Sequence, residues 1–254
     1  MRGLALFMLF FLQNGKQSTV AHFKNVPSSY RVQKPSDDWH TFLQRLPETR
    51  ADVLDYTGKP VKDQWKHETV LNFDVGNKDL QQCADALMRI RAEYLYAAHR
   101  LDAIGFHFTG GGFYSFSSYC QGIRPVVKGQ KIFFLKQSSP VNASHLALRS
   151  YLDIVYAYAN TISLVKDLKN ATRFEVGSVV IHPGSPGHCF MIIDQKIIKG
   201  DTVYKLAEGY MPAQSIYVLA NTKEPGISPW HHLKKGPIHT ASFDFDSYQL
   251  MKFE

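Results

Sequence analysis

The sequence predicts an α+β fold, with helices packed on a mainly antiparallel sheet, and three observations carry that prediction. Two long segments with apolar residues at helical spacing occupy the middle of the chain. Four strand-like runs follow them in the last third. Turn signals rather than further helices separate those runs, so successive strands are joined by hairpins and pair antiparallel.

The elements follow in order. The N-terminus "MRGLALFMLFFLQNG" carries Arg2 and then an unbroken apolar run from Gly3 to Leu12. Ten residues are too few for a bilayer, which needs about 20, but they match the core of a secretory signal. Residues 1–21 are therefore expected to be a signal peptide, with Thr19-Val20-Ala21 the best small-x-small cleavage site. Residues 22–254 are expected to form one α+β domain. No later segment is long or apolar enough to span a membrane, so an exported product, periplasmic or extracellular, is expected.

Prolines 27, 35, 47 and 60 break residues 22–78 into short pieces, with a short helix in "DWHTFLQRLP" and a strand in "HETVLNFDV". The first long helix is "KDLQQCADALMRIRAEYLYAAHRLD". Asp79 and Gln82 have capping-box spacing, and Leu80, Cys83, Leu87, Ile90 and Tyr94 form a stripe. "IGFHFTGGGFYSFSSYCQG" alternates and turns, and "QKIFFLK" is a short strand. The second long helix starts after Asn142 and runs to about Lys169. The four strand-like runs are "FEVGSVVIH", "HCFMIID", "VYKLAE" and "SIYVLA".

The bulk numbers exclude several classes. With 44% hydrophobic and 20% charged residues the chain is neither disordered nor fibrous. Its net charge of +7 invites a nucleic-acid surface, but the lysines and arginines are scattered and the densest pair, Lys234-Lys235, lies in a loop-like tail. No nucleic-acid partner is expected; a mildly basic surface suits an anionic envelope equally well. Three cysteines, Cys83, Cys120 and Cys189, make no disulfide scaffold and leave at least one thiol free or paired with another molecule.

The chemistry centres on residue order. Cys83 falls in the first turn of the first long helix, where helix-end amides and a nearby imidazolium favour a nucleophilic thiolate. His188 opens a strand after the turn-rich "PGSPG", and Glu208 and Gln214 follow on or beside the next strand. Thiol, imidazole and orienting group in that order are what a papain-type cysteine hydrolase requires. Gln81 or Gln82 stands ready to donate to an oxyanion. The plainer alternatives stay open: Cys83 as a packing residue on an apolar face, and His188 as a loop end. Strand alternation points Cys189 away from His188, into the core.

The orienting group depends on register. A two-residue turn at Gly200-Asp201 sets His188 opposite position 213, beside Gln214, and Glu208 opposite Ile193. A looser loop slides Glu208 towards His188. Tyr114, Phe116 and Tyr119, with Phe113, are candidates for the wall of a substrate groove or for a loop packed on the core.

His182, His188 and Cys189, with His231, His232 or His239, have no recognised zinc spacing, so no metal is expected. Gly110-Gly111-Gly112 lacks the lysine and hydroxyl of a phosphate loop, and no cofactor is expected.

"FDVGNKDLQQCADALMRIRAEYLY", "YLDIVYAYANTISLVKDLK", "GSVVIHPGSPGHCFMIID" and "LAEGYMPAQSIYVLAN…SPW" resemble the bacterial family called domain of unknown function 4846, from about Phe23 to Leu233. The resemblance implies an exported or lipid-anchored bacterial protein and no particular activity. Against the family pattern, Glu208 stands where glutamine is typical and Cys189 where a small apolar residue is usual. No cysteine follows the leader closely enough to carry a lipid. "GSVVIHPGSPGHCFMIID" is also similar to the hairpin of NlpC-type cell-wall peptidases, which implies a papain-like architecture and a cell-wall peptide as substrate. Ser178 replaces the aspartate of that hairpin, and Gln82-Cys83-Ala84-Asp85 replaces the usual Asp-Cys-Ser-Gly.

Overall fold

Alternating small and large apolar residues in the last third build strands whose two faces are both buried, and the rest of the chain divides between those faces. The computed structural model describes residues 38–129 and 131–254; the expected signal peptide lies outside the described residues. Helix α1 (Trp39–Gln44) starts under Asp38, whose carboxylate accepts from the His40 and Thr41 N–H groups. Strands β1 (Glu48–Thr49) and β2 (His67–Leu71) precede helix α2 (Cys83–Ala97). Hairpin β3 (Gly105–His107) and β4 (Phe113–Ser115), helix α3 (Phe116–Cys120) and hairpin β5 (Ile123–Lys128) and β6 (Lys131–Lys136) come next.

Helices α4 (His145–Tyr158) and α5 (Thr161–Leu164) lead to β7 (Lys169–Asn170), β8 (Ser178–His182), β9 (His188–Ile198), β10 (Asp201–Glu208) and β11 (Tyr217–Leu219). The chain ends in β12 (Trp230–His231), β13 (Ile238–His239), β14 (Asp244–Phe245) and β15 (Gln249–Lys252). Among the described residues nine strands form one sheet in the order β1-β2-β11-β10-β9-β8-β15-β7, with β12 also on β10. Its ladders are antiparallel, as the hairpin signals predict. The fold is α+β.

Alternation sorts the sheet's side chains. Val179, Ile181, Cys189, Met191 and Ile193 join the core formed with α2 and α4. Val180, Phe190, Ile192 and Leu206 point the other way, against Ile238 and Phe245. The segment after Trp230, read from sequence as a loop-like tail, thus covers the second face.

Both long helices differ from their sequence boundaries. The cap of α2 is Gln82, whose N–H donates to Asp85 Oδ2 at 3.0 Å, so the capping pair is Gln82/Asp85 rather than Asp79/Gln82. Asp79 instead accepts from the Ala213 N–H and the Gln82 amide. Every residue from Cys83 to Leu95 is buried, so the stripe read from spacing is one side of a helix enclosed all round.

The second helix breaks at Ala159, because Asn160 takes an extended conformation and caps α5, accepting from the Ile162 and Ser163 N–H groups. Such a cap contributes about 1 kcal/mol, enough to divide a helix where the chain must turn. The cap of α4 is Ser144 rather than Asn142.

Tyr114, Phe116 and Tyr119 do not wall a groove. They are buried against Tyr151, and Tyr114 stacks on Phe134. The Tyr114 hydroxyl donates to the Ile123 carbonyl at 2.6 Å. Their rings bury large apolar area, and the Tyr114 hydroxyl finds a partner inside. Gly110–Gly112 form the β3–β4 turn, with Gly111 and Gly112 at positive φ.

Candidate active site

One turn and one bulge decide which side chain meets His188. Asp201 pairs with Ile198, so the β9–β10 turn is Lys199-Gly200, both at positive φ (52° and 93°), and not Gly200-Asp201. Two consecutive residues at positive φ make the hairpin turn whose twist matches its strands. Between Lys205 and Leu206 the register slips by one, with Ile193 the extra residue, and Ala207 then pairs with Met191. A one-residue slip exchanges the faces of everything beyond it. Glu208 therefore leaves the helix-facing side and joins the face of Phe190 and His188. There it sits opposite Tyr217 of β11.

His188 Nε2 and Glu208 Oε2 are 2.8 Å apart. Glu208 Oε1 accepts from the Tyr217 hydroxyl at 2.6 Å and from Ser242 Oγ at 2.5 Å. The carboxylate is completely buried, and three donors replace the water it has lost. The His188 ring is 1% exposed and packs against Tyr210 (5.3 Å between centroids), Phe243 (5.2 Å) and Phe245 (5.8 Å), which fix its plane. His182, opposite His188 on β8, and the Gly184 N–H, which donates to Thr161 Oγ1, anchor the loop that leads into β9.

Cys83 is the first residue of α2 and is near enough to the His188 ring to contribute to its raised pKa. With Nε2 held by Glu208, Nδ1 is the nitrogen left for the thiol. Gly209 makes this approach feasible: a Cβ there would lie 2.7 Å from Ala86 Cβ and 3.1 Å from the Gln82 carbonyl oxygen. The end of β10 can thus press against the first turn of α2, which brings Cys83 beside the His188–Glu208 pair.

The electrostatics follow from the contacts. Burial by itself would lower the His188 pKa, but the charge of Glu208 and the hydrogen bonding of the ring to Cys83 and Glu208 outweigh it and lift the pKa to about 10. The ring is an imidazolium throughout the neutral range. Burial pushes the Cys189 thiol well above the ordinary thiol range, with nearby acidic groups adding to it; Cys189 is a core residue. Asp85, one turn into α2, is raised to about 8 by burial against the smaller opposing effect of its backbone hydrogen bonds.

Of the residues singled out from sequence, Cys83, His188 and Glu208 come together. Gln214 does not orient His188; it lies buried beside Asp55, with which its backbone forms a bridge. The Gln82 side chain is turned to Asp79 Oδ1 at 3.0 Å, so its amide is already engaged. Gln81 Oε1 accepts from Arg89. The candidate zinc histidines have other partners: His182 the Ser247 carbonyl, His231 the Leu219 carbonyl, His239 Asp244.

The model of the family described as domain of unknown function 4846 matches residues 20–252, nearly the whole chain. The chain belongs to this family. No curated protein and no solved structure matches the chain. In this member of family 4846 position 208 is a glutamate, and its negative charge is what keeps His188 protonated. Sequence reasoning missed Tyr217 and Ser242, the two hydroxyls on Glu208. Alternation on β11 could have found Tyr217 once the register was known; Ser242 lies 34 residues beyond Glu208 in a turn with no local signal.

Proposed function

We propose that the protein is a cysteine hydrolase of peptide or amide bonds, built on papain-like lines and acting on the cell envelope outside the cytoplasm. The observation that carries this is the grouping Cys83–His188–Glu208, a thiol at a helix N-terminus beside an imidazolium held by a buried carboxylate. A negative sulfur at that position faces the positive end of α2 and the His188 ring. The apolar leader Gly3–Leu12 supports export.

The proposed steps are as follows. The Cys83 thiolate adds to the amide carbonyl carbon, and first-turn N–H groups of α2 receive the developing oxyanion. The C–N bond breaks as His188 gives its proton to the leaving amine, leaving a thioester. His188 then takes a proton from water, the water oxygen displaces sulfur, and a carboxylic acid leaves with the thiolate–imidazolium pair restored. Glu208 keeps its charge throughout, and Tyr217 and Ser242 hold it in place.

A second reading rests on one observation, that Cys83 is only 6% exposed and the ring beside it less. In that reading the protein binds an envelope ligand without catalysis and the thiol is inert. Alkylation of the folded protein at pH 6 separates the two. The hydrolase reading expects fast labelling of Cys83, lost in His188→Ala, and loss of at least about a thousandfold in amide hydrolysis in Cys83→Ala on envelope peptides. Labelling only on unfolding, or full hydrolysis by Cys83→Ala, would overturn it.

A further inference from the structure

The lysines and arginines are scattered, but a gap in the acidic residues localises much of the chain's net charge in one stretch. From Ala103 to Leu152 the sequence has no aspartate or glutamate and five lysines or arginines, which is +5 of the chain's +7. Two of the five are occupied inside the fold. Arg124 donates to the Tyr119 and Ile123 carbonyls and lies 3.8 Å over the Tyr119 ring, and Arg149 pairs with Asp74. The other three, Lys128, Lys131 and Lys136, are exposed on the β5–β6 hairpin, with no carboxylate paired to them among the described residues.

The hairpin's two faces differ. Ile123, Ile132 and Phe134 pack on the core. The outer face pairs Val126 with Phe133 and Arg124 with Leu135, and it ends in Lys128 directly opposite Lys131. On this face Phe133 and Leu135 are 42% and 40% exposed. Like charges directly opposite each other, and bare apolar side chains beside them, both cost a soluble hairpin stability. An anionic partner with an apolar layer beneath its charge would relieve both costs.

We infer that the outer face of the β5–β6 hairpin is a docking surface for an anionic phospholipid bilayer, with Phe133 and Leu135 entering the headgroup region and Lys128 and Lys131 on the lipid phosphates. A soluble polyanion would neutralise the lysines but leave the aliphatic and phenyl groups in water, which favours the bilayer. This inference is independent of the chemistry at Cys83.

The test is co-sedimentation of the full chain with phosphatidylcholine vesicles containing or lacking phosphatidylglycerol, at about 0.1 M and about 0.5 M salt. Binding is expected to need the anionic lipid and to weaken at high salt. Lys128→Ser with Lys131→Ser should lower the partition coefficient roughly thirtyfold at low salt. Phe133→Ser with Leu135→Ser should lower it roughly tenfold or more.

Phe133→Trp keeps the apolar surface and should show a blue-shifted emission on anionic vesicles, which provides a readout if a serine variant folds poorly. Unchanged partitioning of both double variants would assign membrane affinity to the apolar leader and overturn the inference. So would a tryptophan that stays solvated on bound vesicles, or binding to duplex DNA with none to vesicles.

Discussion

Helix α2 carries two buried charge clusters, and they end differently. Along its side, Arg89 is fully buried and closes on Glu93 (2.7 Å), Asp74 (2.8 Å) and Gln81 (3.1 Å). Glu93 also takes His145, and Asp74 takes Arg149. Burial would raise the Glu93 pKa, but Arg89 and His145 bring it below the ordinary range. At the N-terminus of the same helix Glu208 has three donors, and one of these, His188, passes its charge on to Cys83. The first cluster spends its donors on acceptors inside the fold and acts as a brace between α2, α4 and the chain at Asp74. The second leaves a single soft atom at the end of the chain of charges. Under the proposed function, buried charge serves structure where the network is closed and chemistry where it terminates on the Cys83 sulfur.

Arg89→Met should break the brace and give the largest loss. Glu93 would keep its burial without its main counter-charge, and urea unfolding should show a loss of about 3–5 kcal/mol. The pH 6 labelling rate of the molecules that remain folded should match the parent, because the site cluster is separate; a large change would join the two clusters into one.

Glu208→Gln should be next, with a loss of about 1–3 kcal/mol. His188 would fall from about 10 towards or below its ordinary value, since burial would then act with less opposition. The sign is definite: a raised histidine stabilises fully below its unfolded value of 6.5, and that contribution disappears as pH rises through about 10. In Glu208→Gln the loss of stability over that window should shrink, and NMR titration of the imidazole should show the shift directly. An unmoved titration would mean that Glu208 does not hold the proton.

Asp85 is a buried acid with no cation paired to it among the described residues, unlike the acids of either cluster. Its folded value of about 8 lies above its unfolded value of 3.8, so its neutral form stabilises below pH 4, and that stability is lost as pH rises towards 8. The slope should be about 1.4 kcal/mol per pH unit inside the window. Asp85→Asn keeps an acceptor for the Gln82 N–H and should remove that slope; an unchanged slope would place the titration elsewhere.

Local pattern carried much of the fold. Helical spacing marked α2 and most of α4, and apolar alternation between turns marked β8 to β11. Local pattern did not separate a core ring from a groove ring: Tyr114, Phe116 and Tyr119 have the same sequence character in either role, and only Tyr151 and Phe134, remote in the chain, enclose them. It also left the exact caps open, since Asp79, Gln82, Asn142 and Ser144 are all plausible capping residues and the path of the chain chooses among them.

By itself the sequence determined the α+β class, the antiparallel pairing of the late strands, and the succession of Cys83, His188 and an orienting group, Glu208 or Gln214. Those features rest on periodicity and turn chemistry, which are properties of neighbouring residues. Tertiary structure alone decided that the orienting group is Glu208 rather than Gln214, that Tyr217 and Ser242 hold it, and that residues after Trp230 close the second face. A strand's alternation is the same in every register that differs by two, and it carries no mark of a bulge. The Lys199-Gly200 turn and the extra residue at Ile193 fix the pairing only once the strands meet, and a slip of one residue there would point Glu208 to the other side of the sheet.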